Sequence, residues 1–164
     1  MQRYALFLIV LPVFALDQWT KRLVVDRLAG GEPVRVFSWL SLVYGRNTGG
    51  LFGIMSHHSA GSLVFLVIPL AIIAGLIYYL AAFRVPLWTR LSLTFVLSGA
   101  VGNIYDRIYY GSVVDFILLH YKGFQWPAFN VADSSITFGI GLWLLTQLFL
   151  KEGTRRTGSR SRAT

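Results

Sequence analysis

Cysteine is absent from the 164-residue chain. That removes disulfides, a thiolate nucleophile and the soft ligands of structural zinc sites. Charge is scarce as well: 13% of residues are Asp, Glu, Lys or Arg, against about a quarter in an ordinary soluble domain. Acidic residues number seven against fifteen basic ones, a formal net charge of +8. Much of that excess lies in residues 151–164, where five basic residues stand against Glu152. Beside an apolar segment such a stretch reads as a disordered cytoplasmic tail facing anionic lipid, so membrane lipids and not nucleic acid are the expected partner. Neither H-E-x-x-H nor G-x-S-x-G occurs, so zinc-peptidase and serine-hydrolase chemistry lack their signatures. His57 and His58 lie in a serine-bearing polar loop and His120 stands alone; all three read as ordinary surface or interfacial histidines. A Ser/Lys dyad using Lys21 has no motif behind it.

Apolar residues are abundant, at 55% of the chain, and they come in long runs. A helix needs about 20 mostly apolar residues to cross the hydrocarbon core. Ser62–Phe83 supplies them without a charge, Ala132–Leu150 carries only Asp133 at its start, and Leu87–Tyr105 only Arg90 near its beginning. Tyr4–Trp19 is shorter and contains Pro12; with no A-x-A site after it, it reads as a first helix and not as a cleaved leader. The expectation is one domain over 1–150, with spans at about 4–20, 62–83, 87–105 and 132–150, and a tail over 151–164. Eight Lys and Arg fall on the side of the termini and seven opposite. The eight lie beside membrane ends, where the positive-inside rule is counted, which places both termini in the cytoplasm. On the outer side, Val34–Tyr44 is β-prone and partly alternating, the pattern of a small surface sheet, and His120–Asn130 reads as an irregular interfacial segment or short helix.

An ionisable side chain in a membrane segment is costly unless paired or hydrated. Here such residues cluster at one depth: Asp17 and Lys21 at the end of the first helix, Asn103, Asp106 and Arg107 at the end of the third, Asn130 and Asp133 at the start of the fourth, and Asp115 in the loop between. Asp17 with Lys21, and Asn103 with Arg107, have i,i+4 spacing and can be self-satisfying pairs that fix helix ends. Asp115 is different, interrupting Val113-Val114-Asp115-Phe116-Ile117 with no local cation. Asp133 likewise has none, although a helix dipole would favour a carboxylate there. Two carboxylates in a poorly hydrated site share a proton. Such a pair can hydrolyse a peptide bond, one member taking a proton from attacking water while the other donates to the carbonyl oxygen. This route needs neither metal nor cofactor. The residues alone also allow a small proton- or ion-coupled transporter or a non-catalytic assembly factor. Charges confined to one leaflet disfavour transport, and two unpaired carboxylates disfavour a scaffold.

Five stretches in order resemble the lipoprotein signal peptidase (type II signal peptidase) family: Asp17-Gln18-Trp19-Thr20-Lys21, Arg46 through Gly53, Gly99 through Arg107, Gly111 through Ile117, and Phe129 through Asp133. Ser98 stands where the family usually has glycine, and Leu51 where a small residue is common. The resemblance implies an all-α membrane protein of four transmembrane helices, with a small β-cradle and a short interfacial helix on the outer face of the bacterial inner membrane. It implies an aspartyl endopeptidase whose dyad falls on Asp115 and Asp133. Asn47, Gly49, Asn103, Arg107 and Asn130 match positions that bind substrate or orient the dyad, and Asp17, Lys21 and Asp106 fall where support is expected. The implied substrate is a diacylglyceryl-modified prolipoprotein, cut before its lipidated cysteine by a monomeric enzyme. Gly49 and Gly50 would let a peptide backbone come close.

Overall fold

The computed structural model describes residues 5–48 and 59–160. In chain order they form α1 (Ala5–Leu28), β1 (Val34–Phe37), β2 (Leu40–Asn47), α2 (Ser59–Ala82), α3 (Leu87–Tyr110), β3 (Val113–Tyr121), β4 (Phe124–Gln125) and α4 (Val131–Arg160). The four strands make one antiparallel sheet in the order β1-β2-β3-β4. Three helices continue past the expected spans: α1 and α3 extend beyond residues 20 and 105, and α4 runs through the segment expected to be disordered as far as Arg160. Hydropathy marks only the stretch that lipid must cover, whereas backbone hydrogen bonding carries a helix on into polar sequence.

Residues 120–130 form the end of β3, a turn with Lys122 and Gly123 at positive φ, β4 and an irregular stretch leading to α4. The short-helix alternative for this segment is therefore replaced by a strand pair. His120 accordingly sits on the sheet, with Nε2 3.0 Å from Ser41 Oγ.

The distribution of polarity is the reverse of a soluble domain. The helices turn large apolar side chains outward, among them Leu8, Leu11, Ile68, Ile77, Leu148 and Phe149, while Asp17, Lys21, Asn103, Asp106 and Asn130 are buried. Among the described helices α2 is long and apolar enough to cross a membrane by composition, its window Phe65–Ala82 having a mean hydropathy of 2.4. In α1, α3 and α4 several polar residues, among them Asp17, Lys21, Ser98, Asn103, Asp106 and Ser135, face inward, which lowers the average hydropathy of these helices, while the charged residues Arg22, Asp26 and Arg27 at the end of α1 are exposed.

The interior is built on α3 packed closely against α4. A methyl group at Gly99 would collide with the backbone carbonyl of Ala132 and the side chain of Ile136, and one at Gly102 would press on Asp17 Oδ2. Small residues here let the helices approach closely. Gly99→Ala is expected to destabilise the protein by about 3 kcal/mol, since its neighbour is unyielding backbone. Gly141→Ala, which meets open space, is expected to be neutral or slightly stabilising. Thermal unfolding of the two variants in detergent checks the contrast.

Candidate active site

Asp115 lies on β3, whose pairing with β2 is shifted between Leu42 and Gly45. The shift sets Gly45 opposite Asp115 and Asn47 opposite Val113, so Asn47 and Asp115 become diagonal neighbours on one sheet face. Asn47 Nδ2 donates to Asp115 Oδ2 at 3.0 Å.

The start of α4 is stitched to the same strand. Phe129 bridges Ile117, accepting from the amides of Phe116 at 3.0 Å and Ile117 at 2.8 Å and donating to Ile117 O at 3.1 Å. This brings Asn130 beside Asp115. Asn130 caps α4: its Oδ1 accepts from Asp133 N at 2.9 Å, and Asp133 Oδ2 accepts from Asn130 N at 3.2 Å. That reciprocal pair is a capping box with Asp at the third helical position. Because Oδ1 is committed to a backbone amide, the NH2 of Asn130 must point the other way, and it donates to Asp115 Oδ1 at 2.8 Å. One fully buried asparagine thus touches both carboxylates.

A second group lies behind them. Asp17 Oδ1 accepts from Ala132 N at 2.9 Å, so α1 supplies a partner for the first turn of α4. Lys21 Nζ lies 2.8 Å from Asp17 Oδ2, 2.6 Å from Asp106 Oδ2 and 3.1 Å from Asn103 Oδ1. Asn103 Nδ2 donates to Asp133 Oδ1 at 2.7 Å. Asn47, Asp115, Asn130, Asp133, Asn103, Lys21, Asp17 and Asp106 thus fall into one network, with Arg107 beside it, but the pairing is tertiary. Asn103 bonds to α1 and α4 and not to Arg107, its expected i,i+4 partner. Gly49 and Gly50 lie outside the described residues, as do His57 and His58.

Gln18 had not been singled out, yet its Nε2 donates to Asp106 Oδ1 at 2.8 Å and Asp17 Oδ2 at 3.2 Å. Its place between Asp17 and Lys21 at a helix end was the available signal. Arg46 is likewise fixed, through Nε to Ser112 Oγ at 2.8 Å and Nη2 to Tyr110 O at 3.0 Å. Both face a cavity of about 630 Å³ between the C-terminal ends of α1 and α3 and the sheet; Asp106 is in its wall, but neither Asp115 nor Asp133 lines it.

Burial pushes the Asp115 carboxyl up to about 6, with the neighbouring Asp133 charge adding to the rise and the Asn47 and Asn130 bonds opposing it. Arg107 is close enough to interact electrostatically with Asp133, Asp115 and Asp106, and its buried Nε has no hydrogen-bond partner among the described residues. The arrangement is two carboxylates from different elements, each held by asparagine amides, with one guanidinium nearby. Chemically it can hold a proton on one carboxyl and accept one on the other.

Comparison with known proteins agrees. Residues 9–149 match the family model for signal peptidase (SPase) II. The lipoprotein signal peptidase of Symbiobacterium thermophilum is 41% identical over 142 residues, covering 84% of this chain and 91% of that protein. That of Thermodesulfovibrio yellowstonii is 40% identical over 144 residues, covering 88% and 92%. Two solved structures described as bacterial membrane enzymes superpose with TM-scores of 0.77 and 0.73 at 32% and 29% identity, covering 88% and 92% of this chain and 93% and 90% of theirs. A family match over residues 9–149 and relatives about 40% identical along most of both chains lead to one conclusion: this chain belongs to the signal peptidase II family.

Proposed function

We propose that the chain is an intramembrane aspartyl endopeptidase that removes signal peptides from diacylglyceryl-modified prolipoproteins, with Asp115 and Asp133 as its dyad. The observation that carries this reading is the placement of Asn130, whose side-chain amide holds Asp115 while its cap holds Asp133. Water attacks the scissile carbonyl carbon as Asp133 takes its proton, and Asp115, the carboxyl that burial keeps protonated up to about pH 6, donates to the carbonyl oxygen. Collapse of the resulting diol breaks the C–N bond: the leaving nitrogen takes the proton held by Asp133, and a hydroxyl proton returns to Asp115. A bound peptide that excludes water extends the pH range over which Asp115 stays protonated. Arg107 and Asn47 hold substrate carbonyls beside the dyad.

In this reading four spans cross the bacterial inner membrane, both termini are cytoplasmic, and the sheet covers the outer face. The enzyme acts as a monomer, and its basic C-terminal segment meets anionic lipid. A lipid on the cysteine fixes the depth of the scissile bond at the level of the carboxylates, so remote binding energy is converted into orientation.

The test is cleavage by the purified protein in detergent of one precursor with and without the diacylglyceryl group. The modified precursor is expected to be cut immediately before its cysteine, with kcat/KM at least about 100-fold higher than the unmodified form, or about 3 kcal/mol. Equal cleavage of both would remove the lipid's role in selection, and cleavage of neither would remove the peptidase reading.

A further inference from the structure

An asparagine amide has two faces of opposite character, and which one a carboxylate meets is decided by whatever holds the other side. Asn130 is oriented by a backbone N–H. Asn103 Oδ1 faces two donors, Lys21 Nζ at 3.1 Å and Asn130 Nδ2 at 3.2 Å, and Lys21 is the charged one, an ammonium with hydrogens to give and no lone pair to offer. We infer that Lys21 is a positioning residue for the dyad: by donating to Asn103 Oδ1 it locks the Asn103 NH2 onto Asp133. This rests on the reading of Asp115 and Asp133 as the catalytic pair.

The ammonium is itself held with little freedom. Its side chain is 5% exposed, and Asp17 and Asp106 carboxylates lie 2.8 and 2.6 Å away, each in turn tied to Gln18 Nε2. Three oxygens from α1 and α3 thus surround the ammonium, two of them accepting hydrogen bonds and the third, Asp106 Oδ2, in an ion pair. Turning the Asn103 amide over would set its NH2 against the ammonium and its carbonyl oxygen against Asp133 Oδ1. The first contact sets donor against donor, and the second is repulsive unless Asp133 takes up a proton. Such a proton would occupy the carboxylate that must accept one from water. With Lys21 in place the flipped state is suppressed, and both oxygens of Asp133 receive hydrogens, one from Asn103 Nδ2 and one from Asn130 N. The salt-bridged triad behind the site therefore works on the chemistry through one amide, at a distance from any bound peptide.

A double-mutant cycle in kcat separates this role from simple bracing of the fold. Lys21→Met is expected to lower kcat about 50-fold with KM within about threefold, the scale of a misplaced catalytic group. Asn103→Ala is expected to lower kcat by a similar factor, and adding Lys21→Met to Asn103→Ala is expected to lower it no further. Lys21→Met leaves two buried carboxylates without a cation, so the cycle is repeated with Asp106→Asn alongside it, which keeps the net charge of the triad. Unfolding midpoints confirm that each protein is folded. Multiplicative losses in the double variant, a change confined to KM, or wild-type kcat in Lys21→Met would each overturn the inference. Asp115→Asn and Asp133→Asn are run in the same assay. Activity in those folded variants counts against the dyad itself, whereas their inactivity beside a multiplicative cycle counts against Lys21 alone.

Discussion

Asp115→Asn is expected to abolish cleavage while flattening the dependence of stability on pH. Removing one member of an acid–base pair costs about 10³-fold or more in kcat/KM, and Asp133→Asn is expected to match it, because the two act as a unit. The stability effect follows from burial. Asp115 titrates near 6 in the folded protein against 3.8 for an unperturbed group, so the folded state binds the proton more tightly than the unfolded chain. Its contribution is most favourable at low pH, declines as pH rises from about 4 to about 6, and is constant beyond. The full span is at most about 3 kcal/mol. Asparagine carries no charge to desolvate, although one of the two donors now serving Asp115 would face its NH2, so the net gain stays below that ceiling. The unfolding midpoint of Asp115→Asn minus that of the wild type is therefore expected to grow between pH 4 and pH 7 and then level off. Full activity in either folded variant would remove the dyad, and a midpoint difference that does not vary with pH would remove the buried, reluctant carboxyl at Asp115.

Much of this site was legible in the sequence because its cost is local. A carboxylate within Val113-Val114-Asp115-Phe116-Ile117 and another opening an apolar helix are visible against their surroundings, and the shared depth of Asp17, Lys21, Asn103, Asp106 and Asn130 follows from where the apolar runs stop. The partners were not legible, since hydrogen bonds between α1, α3, β3 and α4 leave no period in any one of them. Asn103 and Arg107 looked like a helical pair, but in the fold Asn103 spans Lys21 and Asp133. β3 was hidden for a related reason. It packs between two strands and beside the helices, so its sequence is a nearly continuous apolar run and not an alternating one, whereas Val34–Tyr44, with a more exposed first strand, showed its pattern. Asp133 had two explanations, a carboxylate favoured at a helix start and a catalytic partner. The capping box satisfies the first and, through the same Asn130, ties Asp133 to the residue that holds Asp115, which is the geometry the proposed dyad needs.

Asn130 joins those two roles, and they are separable by substitution. Asn130→Ser keeps an oxygen able to accept from Asp133 N, since serine is among the preferred N-caps, but it removes the NH2 that Asp115 receives at 2.8 Å. Stability is expected to fall by about 2 kcal/mol, because the buried NH2 that also faces Asn103 Oδ1 and Val114 O is lost and the smaller side chain leaves a small cavity. kcat is expected to fall about 30-fold, as Asp115 loses the group that fixes its orientation towards Asp133. Asn130→Ala removes the cap as well and is expected to lose about a further 1 kcal/mol of stability, while its kcat falls little below that of the serine variant. Cleavage rates and unfolding midpoints of the two proteins, measured side by side, test the separation. If the serine variant keeps wild-type kcat, Asp115 does not depend on the Asn130 amide, and the capping box alone is what places the start of α4. If instead the alanine variant alone loses activity, the dyad is held by the position of Asp133 on its helix, and Asn47 is sufficient to orient Asp115.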